Sequence, residues 1–386
     1  MISILLVVIY VAFISLGLPD SILGSAWPSM YRELNVSFSS AGLISMIIAG
    51  GTIVSSLASD RMIRKFNTGV VTTISVAMTA VALLGFSFSN SFWQLCLWGI
   101  PYGIGAGSVD VALNNFVALH YKSRHMSWLH CFWGIGATAG PYIMGLCLTN
   151  GLKWNSGYQT IGLLQIILVI FLLMSLPLWK VKQKEKESEV SNTKRLSVKE
   201  TVKLPGAKAI LIAFFSYCSL EATAGLWASS FLVLSKGINA KTAAKWAALF
   251  YLGITVGRFL AGFITDMLGN KMMVRIGQVI AFLGTIFMLL PLGNLTALVG
   301  LILVGLGCAP IYPSLLHETP NNFGTDISQS IMGMQMASAY IGTTLMSPFF
   351  GIIAEKISIR FYPFYLMMFT ILMFVMVEWV NKIHKK

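Results

Sequence analysis

Three carboxylates, Asp20, Asp110 and Glu221, fall well inside long apolar runs of the chain. On insertion scales an acid at the centre of a membrane helix costs about 3 kcal/mol. Three facing lipid would together cost roughly 8–10 kcal/mol, so all three are expected to face the protein interior. Desolvation favours the neutral form of a carboxylic acid, which suits a group that binds and releases protons. Asp20 sits in Gly17-Leu18-Pro19-Asp20-Ser21-Ile22-Leu23-Gly24-Ser25-Ala26-Trp27-Pro28. There Pro19 removes a backbone donor and Gly17 weakens the helix beside it; such a break is tolerated at membrane depth only where it is packed in protein or lines a wet cavity. Helical spacing puts Asp20, Gly24 and Trp27 on one face, giving a carboxylate, a point of close approach and an aromatic plate. A kinked packing helix is the structural alternative. Asp110 stands one turn before Asn114, so a coupling role and a local hydrogen bond to Asn114 are both open.

Groups able to bind hydroxyls recur in the same spans: Asn114, Asn115, His130 and Gln335. Trp27, Trp133, Trp227 and Tyr312 offer flat apolar faces. A sugar presents hydroxyl edges and a C–H face, so a few polar groups beside an aromatic plate make a plausible hexose site. Packing is the alternative for His130 and for each aromatic residue, while Trp93 and Trp379, near span ends, read as interfacial belt residues. Arg258 is the basic residue lying well inside a span. It could neutralise Glu221 or cap a helix end near Asp266, two turns along, and the structural role is the expected one. No metal-ligand spacing and no nucleophile–base motif appears, so neither a metal site nor an enzyme is expected.

The elements that must position these groups are membrane helices. Of 386 residues 56% are hydrophobic and 11% charged, and the mean hydropathy is +0.76. An ordinary soluble chain carries about a quarter charged residues. Twelve apolar spans are expected at about 4–28, 39–59, 69–89, 92–118, 127–150, 157–179, 208–235, 243–265, 272–291, 295–316, 328–354 and 361–381. The first lacks the pattern of a cleavable signal and is expected to stay. All five cysteines lie in spans, so no disulfide framework is expected. The chain thus divides into an N-terminal six-helix bundle at 1–179, a charged cytoplasmic linker at 180–207 and a C-terminal six-helix bundle at 208–386. With the N-terminus inside, the inner loops and tail hold 19 of the 27 basic residues and the outer loops seven. Both termini are therefore expected in the cytoplasm. The net charge of +13 thus reads as topology, without nucleic acid. On that orientation Asp20 lies roughly 10 Å nearer the outer face than Asp110.

The halves repeat at an offset of about 200 residues. Asp20-x3-Gly24 with Trp27 is echoed by Glu221-x3-Gly225 with Trp227, and Gly103-x-Gly105-x-Gly107 by Gly305-x-Gly307. Gly134-Ile135-Gly136 with Gly140-Pro141 is echoed by Gly342 and Ser347-Pro348. Two facing six-span repeats are the architecture of a carrier that rocks about a site at their interface.

At these residues the chain resembles the major facilitator superfamily, whose loop after span two reads Gly-x-Leu-x-Asp-Arg-x-Gly-Arg-Lys. Here Asp60, Arg61, Arg64 and Lys65 match that signature, and the second copy keeps Gly262, Asp266, Gly269 and Lys271. The resemblance implies an all-α membrane protein, with 12 transmembrane helices in two pseudo-symmetric bundles, and gating or structural roles for Asp60, Arg61, Arg64, Arg258 and Asp266. More narrowly the chain is similar to the fucose permease type of proton-coupled sugar symporter. In that family acids in spans one and four couple protons to sugar; they match Asp20 and Asp110, the latter in Asp110-Val111-Ala112-Leu113-Asn114-Asn115. Glu221 resembles the span-seven acid of the family's sodium–glucose relatives. This narrower resemblance implies a monomeric, multi-pass carrier in the cell (inner) membrane, moving a small polar solute, best matched by a hexose. No cofactor is expected; the coupling ion would be H⁺, with Na⁺ the alternative. A drug or metabolite:proton antiporter is the second reading, because Gly136-x3-Gly140-Pro141-x2-Met144-Gly145 resembles an antiporter motif.

Overall fold

Lipid satisfies no backbone hydrogen bond, so apolar runs of this length can cross a membrane only as helices that bond internally. The computed structural model describes residues 4–120, 123–183 and 198–384. Regular structure among the described residues is helical throughout. The N-terminal half runs α1 (Ile4–Asp20), α2 (Ile22–Glu33), α3 (Ser40–Phe66), α4 (Thr68–Phe88), α5 (Phe92–His120), α6 (Ser123–Thr149) and α7 (Trp154–Gln183). A short α8 (Val198–Lys203) precedes α9 (Ala207–Lys236), α10 (Ala240–Leu268), α11 (Asn270–Leu289) and α12 (Asn294–His317). The chain ends with α13 (Thr319–Phe323), α14 (Thr325–Ile353) and α15 (Tyr362–Ile383). Taking α1 and α2 as one broken passage, the described residues form twelve membrane-length passages in two six-helix bundles. Much of the expected linker, residues 184–197, lies outside the described residues. On α7 the exposed residues Leu163, Leu164, Ile167, Ile170, Phe171 and Met174 make a continuous apolar face, as a lipid-facing helix requires. Trp93 and Trp379 are exposed near helix ends, where belt residues belong.

The break between α1 and α2 falls at Ser21. Pro19 has no N–H to offer the Ser15 carbonyl one turn back. Gln165 Nε2 of α7 donates to that carbonyl at 2.7 Å, and Thr79 Oγ1 of α4 donates to Gln165 Oε1 at 2.7 Å. Pro141 of α6 likewise leaves the Ala137 carbonyl without its helical donor, and Ser21 Oγ supplies one at 2.7 Å. Two proline-freed carbonyls are thus met by side chains from neighbouring helices. A Cβ on Gly17 would overlap the Trp133 carbonyl, and Cβ atoms on Gly136 and Gly140 would overlap the Ile14 and Leu18 carbonyls. Gly136 and Gly140 of α6 are therefore small because α1 lies backbone-to-backbone against them.

The halves meet firmly on the side away from the termini. Gly24 of α2 lies on the backbone of α9, where a Cβ would stand 2.6 Å from the Leu226 carbonyl oxygen and 2.8 Å from that of Gly225. Gly24 and Gly225 are counterparts in the repeat, and they meet here. Beside them Gly42 of α3 lies on Pro348 of α14, and the Phe38 and Trp227 rings pack at 4.8 Å. Ser39 N donates to Glu355 Oε2 at 2.8 Å across the same seam.

Gln165→Leu strands the Ser15 carbonyl and should lower stability by about 1–3 kcal/mol in thermal unfolding of the detergent-solubilised protein. An unchanged melting curve would contradict the role given to Gln165. Gly24→Leu should hold the far-side seam open, whereas Gly262, with no atom within 4 Å of a Cβ, should tolerate leucine. A cysteine at fully buried Ser229, placed in a background without the native cysteines, should then react with a water-soluble maleimide only in the Gly24→Leu protein. Equal labelling in both variants would leave Gly24 without a special role.

Candidate substrate and coupling site

Asp20 is the last residue of α1, where the helix breaks, and the residue is exposed although α5 and α6 both reach it with side-chain donors. Its exposure is therefore to an internal cavity between the bundles, whose mouth lies toward the termini because the opposite side is sealed. Tyr102 OH of α5 donates to Asp20 Oδ1 at 3.0 Å, and Trp133 Nε1 of α6 donates to Oδ2 at 2.9 Å. Each carboxylate oxygen thus has a fixed donor, and neither donor is a cation.

Asp110 lies on α5, partly buried, and Asn114 Nδ2 donates to its Oδ1 at 2.9 Å and to its backbone carbonyl at 3.0 Å. The local bond open to it is made. It does not exclude a coupling role, because Asp110 also lies near enough to Asp20 to feel its charge.

From the other half, Arg258 of α10 reaches Glu221 of α9 at 3.6 Å, with side chains 13% and 20% exposed. Its guanidinium carbon also lies 5.3 Å from the centroid of the Trp133 ring, a cation–π arrangement. Of the two partners open to Arg258 the structure thus brings Glu221, and the pair sits on the cavity wall. Tyr251, on one face of α10 with Arg258, meets the Trp133 ring edge-on at 6.4 Å. His130 packs edge-on against Phe13 at 5.7 Å and lies within the field of Arg258. Tyr312 is half-buried, its hydroxyl 2.8 Å from Met336 Sδ and its ring beside Phe214 and Tyr217.

Three expected ligands stand elsewhere. Trp27 is fully buried and its indole donates to the Phe38 carbonyl at 2.8 Å, in the far-side seam. Seven residues along the helix, a rise of about 10 Å, carry Trp27 from the level of Asp20 to the seam. Trp227 is fully buried in the same seam and donates to the Ser347 carbonyl at 2.8 Å. Gln335 is buried against Thr319, exchanging hydrogen bonds with its hydroxyl at 3.0 and 3.2 Å, and has no surface on the cavity. The side chains of Asn115, Asp60, Arg61, Arg64 and Asp266 lie outside the described part of the structure. Tyr102 and Tyr251 were not among the expected residues. Tyr251 precedes Arg258 by seven residues, two turns along one face, and that spacing is the signal by which it was legible.

Removing one partner of a mostly buried ion pair strands the other charge. Arg258→Gln should therefore cost about 2–3 kcal/mol in thermal unfolding, and adding Glu221→Gln should restore more than half of the loss. Additive losses in the double variant would show that the two side chains do not act as a pair.

Comparison with known proteins bears on the whole chain. The family model described as Major Facilitator Superfamily matches residues 9–326. Bypass of stop codon protein 6 of Saccharomyces cerevisiae is 22% identical, the match covering 92% of this chain and 77% of that protein. The cis,cis-muconate transport protein of Acinetobacter baylyi is 22% identical over 65% of this chain and 63% of its own length. Among solved structures, a bacterial homolog to the human lysosomal transporter Spinster, in an inward-facing and occupied conformation, aligns with a TM-score of 0.71 at 12% identity. That alignment covers 98% of this chain and 96% of the other. The match over most of the chain, on a fold of two facing six-helix bundles, makes this a transporter belonging to the Major Facilitator Superfamily.

Proposed function

We propose that the chain is a proton-coupled symporter of a small neutral polar solute, best matched by a hexose, with both termini in the cytoplasm. The observation that carries this reading is the pair of cavity carboxylates in one half. Asp20 is held by two neutral donors, and Asp110 stands within reach of its charge with an amide as partner. A carboxylate without a cationic partner exchanges its charge for a proton more readily than an ion-paired one. The cation of the cavity wall, Arg258, is already shared between Glu221 and the Trp133 ring.

The same charge balance bears on the solute. An acid such as the muconate named for the Acinetobacter relative would bring carboxylates against Asp20 and Asp110, and like charges in a low dielectric repel strongly. A neutral polyol meets no such penalty. The aromatic surfaces of Trp133 and Tyr312 together with the amide of Asn114 suit its C–H face and hydroxyls. The antiporter reading rests on the glycines of span five, and those are engaged in helix packing, Gly136 and Gly140 against α1 and Gly145 against α10. With the basic-residue bias placing the termini inside, the cavity mouth faces the cytoplasm.

The test uses purified protein in liposomes, labelled L-fucose, D-galactose and D-glucose, a lipophilic cation, and an internal pH dye. A hexose should enter with protons and the lipophilic cation should not move. Asp110→Asn keeps size and hydrogen bonding but cannot release a proton. It should still exchange labelled for unlabelled sugar at a rate near the parent's and should lose accumulation driven by a pH gradient. Accumulation by Asp110→Asn at the parent level would sink the assignment of Asp110.

A further inference from the structure

Trp133 touches charged groups of both halves. It lies on α6, its indole N–H donates to Asp20 Oδ2 at 2.9 Å, and its ring face carries Arg258 of α10 at 5.3 Å. Arg258 continues the line to Glu221 of α9 at 3.6 Å. The contact between α6 and α10 extends outward from this point: a Cβ on Gly134 would overlap Thr255 Oγ1, and Gly145 lies on Lys245 and Lys241. The line from Asp20 to Glu221 therefore crosses the interface where the two bundles must part for the far side to open.

An indole has one donor and no acceptor, so its orientation follows the best acceptor within reach. A charge-assisted bond to a carboxylate is about twice as strong as a bond to a neutral acceptor. When Asp20 loses its charge, the bond that fixes the indole loses about half its strength, and the ring on which Arg258 rests turns more easily. The other titratable groups facing this cluster are Tyr102, Tyr251, Asp110 and His130 around Asp20 and Trp133, and Tyr217, Cys131, Cys218, Cys308 and Tyr312 around Arg258 and Glu221. Tyr102 OH serves the opposite oxygen of Asp20 and does not reach the C-terminal half by any hydrogen bond among the described residues.

We propose that Trp133 is a positioning residue that transmits the charge state of Asp20 to the Arg258–Glu221 pair. Loss of the Asp20 charge releases the indole, withdraws the plate under Arg258 and favours separation of α6 from α10 on the far side. The proposal rests on the reading of Asp20 as a coupling carboxylate. It adds the route by which that group acts on the other half.

The test needs no substrate. Spin labels on exposed Leu152, after α6, and exposed Ile357, after α14, report the far-side distance in the full chain, with the native cysteines replaced. In this background Asp20→Asn should shift the distance distribution to longer values. Trp133→Phe keeps the aromatic face but has no N–H; alone it should reproduce the shift, and adding Asp20→Asn should change nothing more. Arg258→Lys keeps a cation for Glu221 but loses the flat guanidinium that stacks on the ring. It should abolish the Asp20→Asn effect too, and it decides the matter if Trp133→Phe does not fold. A full Asp20→Asn shift in both backgrounds would overturn the role of Trp133 while leaving Asp20 in place. No shift on Asp20→Asn in the parent would remove Asp20 as a coupling group, and the relay with it.

Discussion

A carboxylate held at membrane depth needs a donor for each oxygen, and the structure around Asp20 is arranged to supply two. Tyr102 and Trp133 come from different helices, and both reach the carboxylate because α1 ends beneath it. Ending α1 there frees the Ser15 carbonyl, which requires Gln165, which in turn takes its own donor from Thr79. The same region of α6 carries a second proline, and the carbonyl it frees takes its hydrogen bond from the residue at the break, Ser21. Spans one, three, four, five and six are thereby tied to one position. Close approach of α1 to α6 through Gly17, Gly136 and Gly140 keeps those short bonds in register.

The seam on the far side is made of other materials. Glycine backbones meet glycine and proline, buried tryptophans bond to the carbonyls of Phe38 in the turn before α3 and of Ser347 in α14, and one carboxylate, Glu355, caps the first turn of α3 from the opposite half. A carboxylate at a helix N-terminus on the surface contributes about 0.3–1 kcal/mol, and apolar contact between membrane helices gains little over contact with lipid. Such a seam closes tightly and still opens at modest cost, as alternating access requires. Trp27 and Trp227 belong to this seam, so the two halves of the repeat contribute equivalent residues to the gate and different acids to the cavity.

The fold was legible because the constraint behind it is local: apolar length, two matching glycine patterns and a charged interval between them suffice to read two bundles. Asp20 and Asp110 were legible for a related reason, since an acid in an apolar run is costly wherever it stands. Sequence misled where position depends on depth or on distant partners. The helical wheel puts Trp27 on the face of Asp20, but seven residues of rise carry it about 10 Å further, into the seam. Gln335 looked like a ligand because a glutamine in a span must bond something, yet its partner is Thr319. Arg258 had two acids within plausible reach, and only the packing of α9 beside α10 brings it to Glu221. Tyrosines 102 and 251 carried no distinguishing mark beyond the spacing of Tyr251 from Arg258, because a tyrosine in an apolar helix packs as readily as it binds.

On the proposed function, a proton moves with a neutral solute through the cavity that Asp20 and Asp110 line. Charge movement on a solid-supported membrane measures it directly, since a hexose carries no charge of its own. With proteoliposomes adsorbed to the sensor, a jump in L-fucose, D-galactose or D-glucose should evoke a positive inward current. The current should persist when Na⁺ is replaced by choline and vanish in the Asp20→Asn/Asp110→Asn protein. Sugar uptake without any current, or a current that needs Na⁺, would contradict proton coupling at these two carboxylates.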